Sequence, residues 1–248
     1  MGVCLCGHAM AADAPKAPAP VAKSAATKAA SAANFSVPRL PTGKPDFNGV
    51  WQVMNSANYN IEPHASSAAL QMRTGPVVPV PAKEVVALGA VGSVPAGLGV
   101  VEGGLIPYTP AALKQRDANR ADWIHKDPEI KCYLPGVPRA NYMGLPFHIL
   151  QSDKSIMIAY EYDGAVRNLV FKDPGPPPID SWMGQSVAHW EGDTLVVVVT
   201  GLIDSRWFDR AGNFHTADMK VVEKYHYTGP GVVRYEAEIT DPAVISAS

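Results

Sequence analysis

The second half of the chain consists of short runs in which apolar and polar residues alternate, and this pattern constrains the fold most. A period of two is typical of β-strands with one buried face. In the clearest run, Val233, Tyr235, Ala237 and Ile239 share one face and charged residues occupy much of the other. Because short turns separate successive runs, the pattern predicts consecutive β-hairpins.

We therefore predict a mainly β fold in which an antiparallel meander curls or closes into a barrel. A two-layer sandwich is the alternative. The predicted strands include a first strand at Gly49-Val50-Trp51 and later ones at 147–152, 155–162, 166–171, 185–190, 194–200, 218–227 and 232–240.

Two segments before these strands differ from the β pattern. Residues 57–107 are rich in proline and glycine and predict a long irregular loop that wraps onto the body. Thr109-Pro110 predicts a helix start, since Thr is favoured at the N-cap and Pro at the first helical position. The helix is expected over 109–124. One folded domain is expected over 45–248.

The beginning of the chain predicts two segments of a different kind. Residues 1–12 resemble the end of a secretory signal peptide whose true start lies upstream, and 13–44 predict a flexible tether of Ala, Pro and Lys. We therefore expect export to the periplasm. A cytosolic protein with a disordered extension is the alternative, and a lipid anchor at Cys4 or Cys6 is a weaker one.

Charge and motif content exclude several classes of partner. The formal net charge of -2 over 248 residues gives no basic surface for nucleic acid. No apolar run is long enough to span a bilayer, so we expect no stable membrane insertion. The sequence also lacks a phosphate-binding glycine loop, a dinucleotide fingerprint and a Gly-x-Ser-x-Gly elbow, so no organic cofactor is predicted. The oligomeric state stays open.

Ionisable residues on apolar strand faces are the first candidates for chemistry. Glu223 shares a face with Val221 and Tyr225, where a carboxylate is costly unless it is paired or acts as an acid or base. Glu161 and Arg167 flank the Asp163-Gly164 turn, and a two- or three-residue turn places them close together. A surface salt bridge is the alternative for that second pair.

The segment from Asp204 to His215 combines acidic, basic and aromatic residues and is typical of a site wall. We predict His215 as the base and Asp209 as the group that orients it, since histidine titrates near neutral pH. Arg167 or Arg139 is predicted to anchor developing negative charge. A loop held together by its own hydrogen bonds is the alternative.

Glu161 and Glu223 complete the predicted catalytic set of His215, Asp209 and Arg167. No metal site is predicted, because no pair of ligands has close spacing, and a site from His148, His215 and a carboxylate is a weaker alternative. The predicted substrate-binding residues are Arg139, Tyr142, His148, Tyr160, Trp182, Ser186, Asp204 and Trp207.

As a set, several motifs resemble a large family of exported bacterial proteins of mostly unassigned function. The resemblance covers 45–242 and implies a calycin-like barrel. The motifs that carry it are Asp-Phe-Asn-Gly-Val-Trp (46–51), Tyr-Thr-Pro-Ala-Ala-Leu (108–113), Cys-Tyr-Leu-Pro-Gly-Val-Pro-Arg (132–139), Tyr-Glu-Tyr (160–162), Trp-Met-Gly-Gln-Ser (182–186), Trp-Glu-Gly-Asp-Thr-Leu-Val-Val (190–197) and Trp-Phe-Asp-Arg-Ala-Gly-Asn-Phe-His (207–215).

The first functional hypothesis is a cofactor-independent acid–base enzyme of lyase, isomerase or dehydratase type. It would act on a small aromatic or hydrophobic molecule inside the barrel, and cleavage of a C–C or C–O bond is favoured. The alternative is a non-catalytic periplasmic carrier or sensor of small hydrophobic ligands. A structural envelope protein is the third hypothesis and predicts no pocket.

Overall fold

A computed structural model describes residues 35–68, 72–73, 80–81 and 93–246 of the chain. The predicted signal remnant at 1–12 and most of the predicted tether lie outside the described residues.

The strands of the described chain are short and regular. In chain order they are β1 (Gly49–Trp51), β2 (Ser67–Ala68), β3 (Met72–Arg73), β4 (Val80–Pro81), β5 (Ser93–Val94), β6 (Phe147–Gln151), β7 (Ser155–Tyr160), β8 (Val166–Val170), β9 (Gln185–Glu191), β10 (Thr194–Thr200), β11 (Lys220–Gly229) and β12 (Val232–Thr240).

Eight of these strands form one curled sheet, which makes a half-barrel and confirms the mainly β prediction. The strand order is β1-β6-β7-β8-β9-β10-β11-β12, and the two-residue strands pair separately as β2-β5 and β3-β4. Alternation along the strands turns one face inward to the core. The most deeply buried apolar side chains of the sheet include Ile156, Ile158, Leu169, Val197, Val199 and Val221.

The predicted antiparallel meander is wrong at one joint. Strands β8 and β9 pair in parallel, with Leu169 opposite Ser186 and Val170 opposite Val187. A parallel pair cannot be joined by a tight hairpin, so the chain crosses over through the proline-rich loop 171–184. The other neighbouring strands of the sheet are antiparallel, as predicted.

Strands β1 and β12 are the two edges of the sheet, and no backbone ladder joins them within the described residues. Aromatic side chains bring the ends of the sheet together instead. Tyr227 of β11 stacks on Phe47, which precedes β1, with 5.2 Å between ring centroids. The Tyr227 hydroxyl also donates to the carbonyl oxygen of Asp46 at 2.6 Å. The sheet is therefore curled, and its edges remain unpaired in the described chain.

The predicted helix is present as α1 (Pro110–Ala121), followed by the four-residue α2 (Trp123–Lys126). The Thr109 hydroxyl accepts from the backbone N–H of Ala112 at 3.2 Å, which is the predicted N-cap. Short 3₁₀ turns cover Arg139–Tyr142 and Tyr162–Gly164. In the described ranges, none of the helices has both the length and the apolar character needed to cross a bilayer.

Two described segments that precede α1 and lie outside the sheet contact the rest of the fold. In the described end of the predicted tether, Arg39 donates to both carboxylate oxygens of Asp193, at 2.9 and 2.7 Å. In the wrapping loop, the N–H of Ile61 donates to Asp209 Oδ2 at 2.9 Å. These contacts join residue 61 of the loop and residue 39 of the preceding segment to the rest of the fold.

Candidate functional site

An open cleft of about 1110 Å³ lies on the inner side of the half-barrel, lined from both edges of the sheet. Further lining comes from residues 52–55, which follow β1, and from positions 57, 61, 99–102, 106 and 107 of the wrapping loop. Most of the lining side chains are aromatic or aliphatic, and they include Trp51, Ile61, Tyr142, Phe147, Ile149, Phe208, Tyr225, Val233, Tyr235 and Ile239.

The mouth of the cleft exposes apolar side chains to solvent. Met54 is 94% exposed, and Val100 and Val232 are 55% and 54% exposed. All three line the cleft. An exposed apolar patch that continues into a concave surface is typical of a binding site for an apolar molecule.

A buried ion pair lies behind the cleft. Glu223 of β11 is 0% exposed and Arg167 of β8 is 2% exposed. The guanidinium donates through Nη1 to Glu223 Oε1 at 3.1 Å and through Nη2 to Oε2. Its Nε donates to the Ser186 hydroxyl at 2.8 Å. Such a fork makes a strong, orientation-specific pair, which offsets part of the cost of removing both charges from water.

Three further donors converge on the same carboxylate oxygen, Glu223 Oε1. They are Asn141 Nδ2 at 2.9 Å and the hydroxyls of Tyr225 and Tyr235 at 3.2 and 2.8 Å. Tyr160 donates to Asn141 Oδ1 at 2.8 Å and so fixes the amide. We call this set the Glu223 cluster; its members are Asn141, Tyr160, Arg167, Glu223, Tyr225 and Tyr235.

Strand alternation explains how the cluster assembles. Glu223 and Tyr225 are two residues apart on β11 and therefore point to the same face. Tyr235 lies directly opposite Tyr225 on β12. Asn141, Tyr225 and Tyr235 all line the cleft, so the cluster joins the buried ion pair to the cleft surface.

The cluster keeps its cation charged and its phenols neutral. Burial opposes the charge of Arg167, but the field of Glu223 outweighs it, so the pKa of Arg167 lies well above its ordinary value. Burial and the Glu223 charge both raise the pKa values of Tyr225 and Tyr235 well above the ordinary phenol value. These hydroxyls therefore act as neutral hydrogen-bonding groups near pH 7.

Glu161 does not join Arg167. The N–H of Tyr160 donates to the carbonyl of Ala165, so the turn is longer than the two or three residues expected. Arg167 consequently lies opposite Ile158 rather than Tyr160 or Glu161. Glu161 is exposed, so the expected contact between the two side chains is not formed.

The predicted pairing of Asp209 with His215 is also not formed. Asp209 accepts from the backbone N–H groups of Ile61 and Ala211 and from the Asn213 amide, at 2.6 to 2.9 Å. His215 Nδ1 contacts the carbonyl oxygen of Thr216 at 2.8 Å. Both side chains are buried outside the cleft lining. The segment is thus held by its own hydrogen bonds, which was the alternative interpretation.

Arg139 is occupied by a structural network. Its Nη2 donates to Glu129 Oε2 at 2.6 Å and its Nε donates to Asn58 Oδ1 at 3.1 Å. Arg210 donates to both oxygens of the same Glu129, at 2.7 and 2.5 Å. The guanidinium of Arg139 therefore joins three loops and does not line the cleft.

The remaining predicted residues are scattered. Tyr142 lines the cleft, whereas Tyr160 belongs to the Glu223 cluster and Ser186 accepts from Arg167 of that cluster. His148 and Asp204 are exposed and lie outside the cleft lining. The two tryptophans are also elsewhere: Trp182 packs on Tyr133 and Trp207 pairs with Phe214.

Within the ranges that the structure covers, no three His, Cys, Asp or Glu side chains converge closely enough to hold a metal ion. His148 and His215 in particular are not brought together, since the first is exposed on β6 and the second is buried in a loop.

Two residues of the cluster were not predicted from the sequence. Tyr235 lies on the apolar face of the last strand, and its position opposite Tyr225 was a usable signal. Asn141 lies in a 3₁₀ turn, where no periodic pattern indicates which side chain points inward.

In comparisons with known proteins, no family model, curated protein or solved structure matches the chain.

We predict that Arg167→Met destabilises the protein by about 3–5 kcal/mol, because it leaves the buried Glu223 carboxylate without its cation. The double substitution Arg167→Met/Glu223→Leu should recover much of that loss, and chemical denaturation measures both. The solvent-exposed pair is the control: Arg39→Met should leave the unfolding midpoint nearly unchanged. If the stability loss of the double variant equalled the sum of the losses in Arg167→Met and Glu223→Leu, the prediction would be contradicted.

Burial and the nearby Arg206 charge lower the pKa of His215 to about 4, from an ordinary value near 6.5. Between these values the unfolded chain binds a proton that the folded chain does not, so stability falls as the pH is lowered. We expect a loss of about 2 kcal/mol from pH 7 to pH 5 that is attributable to this residue.

Denaturation of wild type and His215→Asn at both pH values measures this contribution, which should vanish in the variant. The exposed His148→Asn should retain the wild-type pH dependence. Equal slopes for wild type and His215→Asn would show that folding does not lower the pKa of His215.

Proposed function

We propose that the protein binds a small, largely apolar molecule in the cleft, with one polar group of the molecule placed against the Glu223 cluster. One observation carries the proposal: an apolar cleft whose inner surface ends on phenols hydrogen-bonded to a fully buried carboxylate. Binding sites of this kind combine an apolar wall with a few fixed polar groups.

The burial of the ion pair supports a functional role for this surface. An isolated pair of charges costs free energy to bury, and well-packed apolar side chains of similar size often give equal or greater stability. Four hydrogen bonds to one carboxylate oxygen hold Tyr225, Tyr235 and Asn141 in fixed orientations. Fixed donors and acceptors reduce the ordering cost when a ligand binds.

A reaction on the bound molecule is the second candidate, favoured by the contact between the Tyr235 hydroxyl and Glu223. Through this contact a proton from the ligand would pass to Tyr235 Oη while the Tyr235 proton moves to Glu223. An acid–base enzyme of lyase, isomerase or dehydratase type would use such a relay without an organic cofactor. We rank binding first because the raised phenol pKa values favour neutral hydroxyls.

Three further expectations from the sequence belong to this proposal. Relationship to exported bacterial proteins and residence in the periplasm rest on the motifs and on the composition of the first residues. The third expectation is full closure into a calycin-like barrel. Closure would require β12 to pair with β1, and these two edge strands flank the proposed ligand site.

The binding proposal predicts that filling the cleft weakens the binding of an apolar fluorophore. Ala237 of β12 is exposed and lines the cleft, so Ala237→Trp should occupy ligand space without disturbing the core. We expect N-phenyl-1-naphthylamine fluorescence to rise on binding to wild type. The variant should weaken this binding about tenfold or more, because a bulky side chain occupies the site.

Thr240→Trp is the matched control, because Thr240 is exposed on the same strand but lies outside the cleft lining. It should bind the fluorophore as wild type does. Absence of saturable binding to wild type, or equal affinity in wild type and Ala237→Trp, would refute the proposal.

The catalytic candidate makes a separate prediction. If Tyr235 relays a proton, Tyr235→Phe should lower turnover at least about a hundredfold while the substrate remains bound, as for the loss of a general acid or base. Incubation of the wild type with a panel of aromatic dimers and terpenoids, followed by mass spectrometry, identifies the reaction. Saturable binding without any product across the panel would favour a carrier or sensor.

A further inference from the structure

We propose that the cleft selects molecules that carry a hydroxyl group over molecules of similar shape that carry only a carbonyl or ether oxygen. This inference rests on the proposed function and adds the class of ligand. The observation behind it is that the donor hydrogens at the inner end of the cleft are already used within the protein.

Two of the three tyrosines in the cluster, Tyr225 and Tyr235, donate their hydroxyl hydrogens to Glu223. An ionised carboxylate only accepts hydrogen bonds, so the hydroxyls of Tyr225 and Tyr235, at 3.2 and 2.8 Å from Glu223 Oε1, must point their hydrogens at it. Arg167 pairs with both oxygens of that carboxylate in the buried ion pair. The two phenols therefore offer a ligand only the lone pairs of their oxygens.

The donor hydrogens of Trp51, Asn141 and Tyr142, which also line the cleft, likewise have acceptors within the protein. The Tyr142 hydroxyl donates to the carbonyl of Phe208 at 2.9 Å, and the Trp51 indole N–H donates to the carbonyl of Phe47 at 2.8 Å. Asn141 Nδ2 donates to Glu223 Oε1 at 2.9 Å and to Tyr225 Oη at 3.1 Å. The charged lining residues Glu102, Arg234 and Glu236 are all solvent-exposed, and Arg234 Nε donates to Glu236 Oε1 at 3.0 Å.

The two kinds of ligand therefore meet different costs. A hydroxyl donates to the Tyr235 oxygen while every existing bond stays in place. A carbonyl or ether must take the hydrogen of Tyr235 away from Glu223, which exchanges a charge-assisted bond for a neutral one about half as strong. The carboxylate would then be short of one donor in a site that water does not reach.

The bond from Tyr235 to Glu223 also improves Tyr235 as an acceptor. Hydrogen bonds in a chain polarise one another, so a phenol that donates to a carboxylate carries more negative charge on its oxygen. A phenolic or alcoholic ligand would extend the chain as ligand O–H to Tyr235 Oη, Tyr235 O–H to Glu223, and Arg167 to Glu223. Tyr235 is the residue that decides the selectivity, because Tyr225 Oη already accepts from Asn141.

Calorimetric titration with three naphthalenes of matched shape tests this inference. The probes are 2-naphthol, 2-methoxynaphthalene and 2-acetylnaphthalene. If apolar contact alone decided affinity, the ether would bind more tightly than 2-naphthol, because it buries an extra methyl group. We expect the reverse, with 2-naphthol about fivefold to tenfold tighter than either of the other two, the contribution of one hydrogen bond.

Tyr235→Phe should remove this preference and bring the three affinities close together. Tyr227→Phe is the matched control, because its hydroxyl donates to the backbone of Asp46 and lies outside the cleft lining. It should keep the wild-type preference. The comparison of probes on the unsubstituted protein tests the inference even if Tyr235→Phe does not fold.

The possible outcomes separate this inference from the proposed function. If the ether or the ketone binds wild type as tightly as 2-naphthol, the cleft binds apolar molecules but the hydroxyl preference is refuted. If the preference persists in Tyr235→Phe, Tyr235 is not its source and the inference is refuted. If none of the three binds and N-phenyl-1-naphthylamine also fails to bind, the proposed function itself fails.

Discussion

The buried pair of Glu223 and Arg167 is the interaction on which the rest of this structure depends. Its two members come from β11 and β8, which are separated in the sheet by β9 and β10, so the pair spans the curve of the half-barrel. Neither charge has access to water, and each satisfies the other through a two-point contact. The two side chains can therefore neutralise each other only because the sheet is curved.

This ion pair determines which hydrogen-bonding groups the cleft presents to a ligand. Because Glu223 is held as an anion, the tyrosines and the amide around it must turn their hydrogens towards it. The inner end of the cleft is then neutral, weakly polar and rich in acceptors, although two full charges lie directly behind it. A site of this type suits a mainly apolar molecule better than a charged one, because no free counter-charge faces the incoming ligand at its inner end.

Strand alternation made some of this arrangement predictable. The apolar face shared by Val221, Glu223 and Tyr225 indicated a buried carboxylate, and the structure supplies its arginine. The partner was not predictable, because the turn after Tyr160 is longer than its Asp163-Gly164 signal suggested and this shifts the register of Arg167. A pattern along one strand shows which face a side chain occupies, whereas the identity of its neighbour depends on turn geometry and on distant strands.

The segment from Asp204 to His215 shows the opposite limit. Its density of charged and aromatic residues is typical of a catalytic loop, yet the same side chains serve to satisfy the backbone of a buried irregular segment. Buried loops need polar side chains for this purpose, since their backbone groups lack the partners that a sheet provides. Composition alone does not separate these two uses.

The parallel joint between β8 and β9 has a consequence for the order in which the molecule assembles. Short turns join β6 to β8, β9 to β10 and β11 to β12, so each of these three blocks can form through local contacts. Joining the blocks requires closing the longer connections 171–184 and 201–219, and the pairing of β1 with β6 closes a still longer loop. Arg167 and Glu223 lie in different blocks. The ion pair therefore requires these blocks to be in contact, and the burial of both charges depends on the completed sheet.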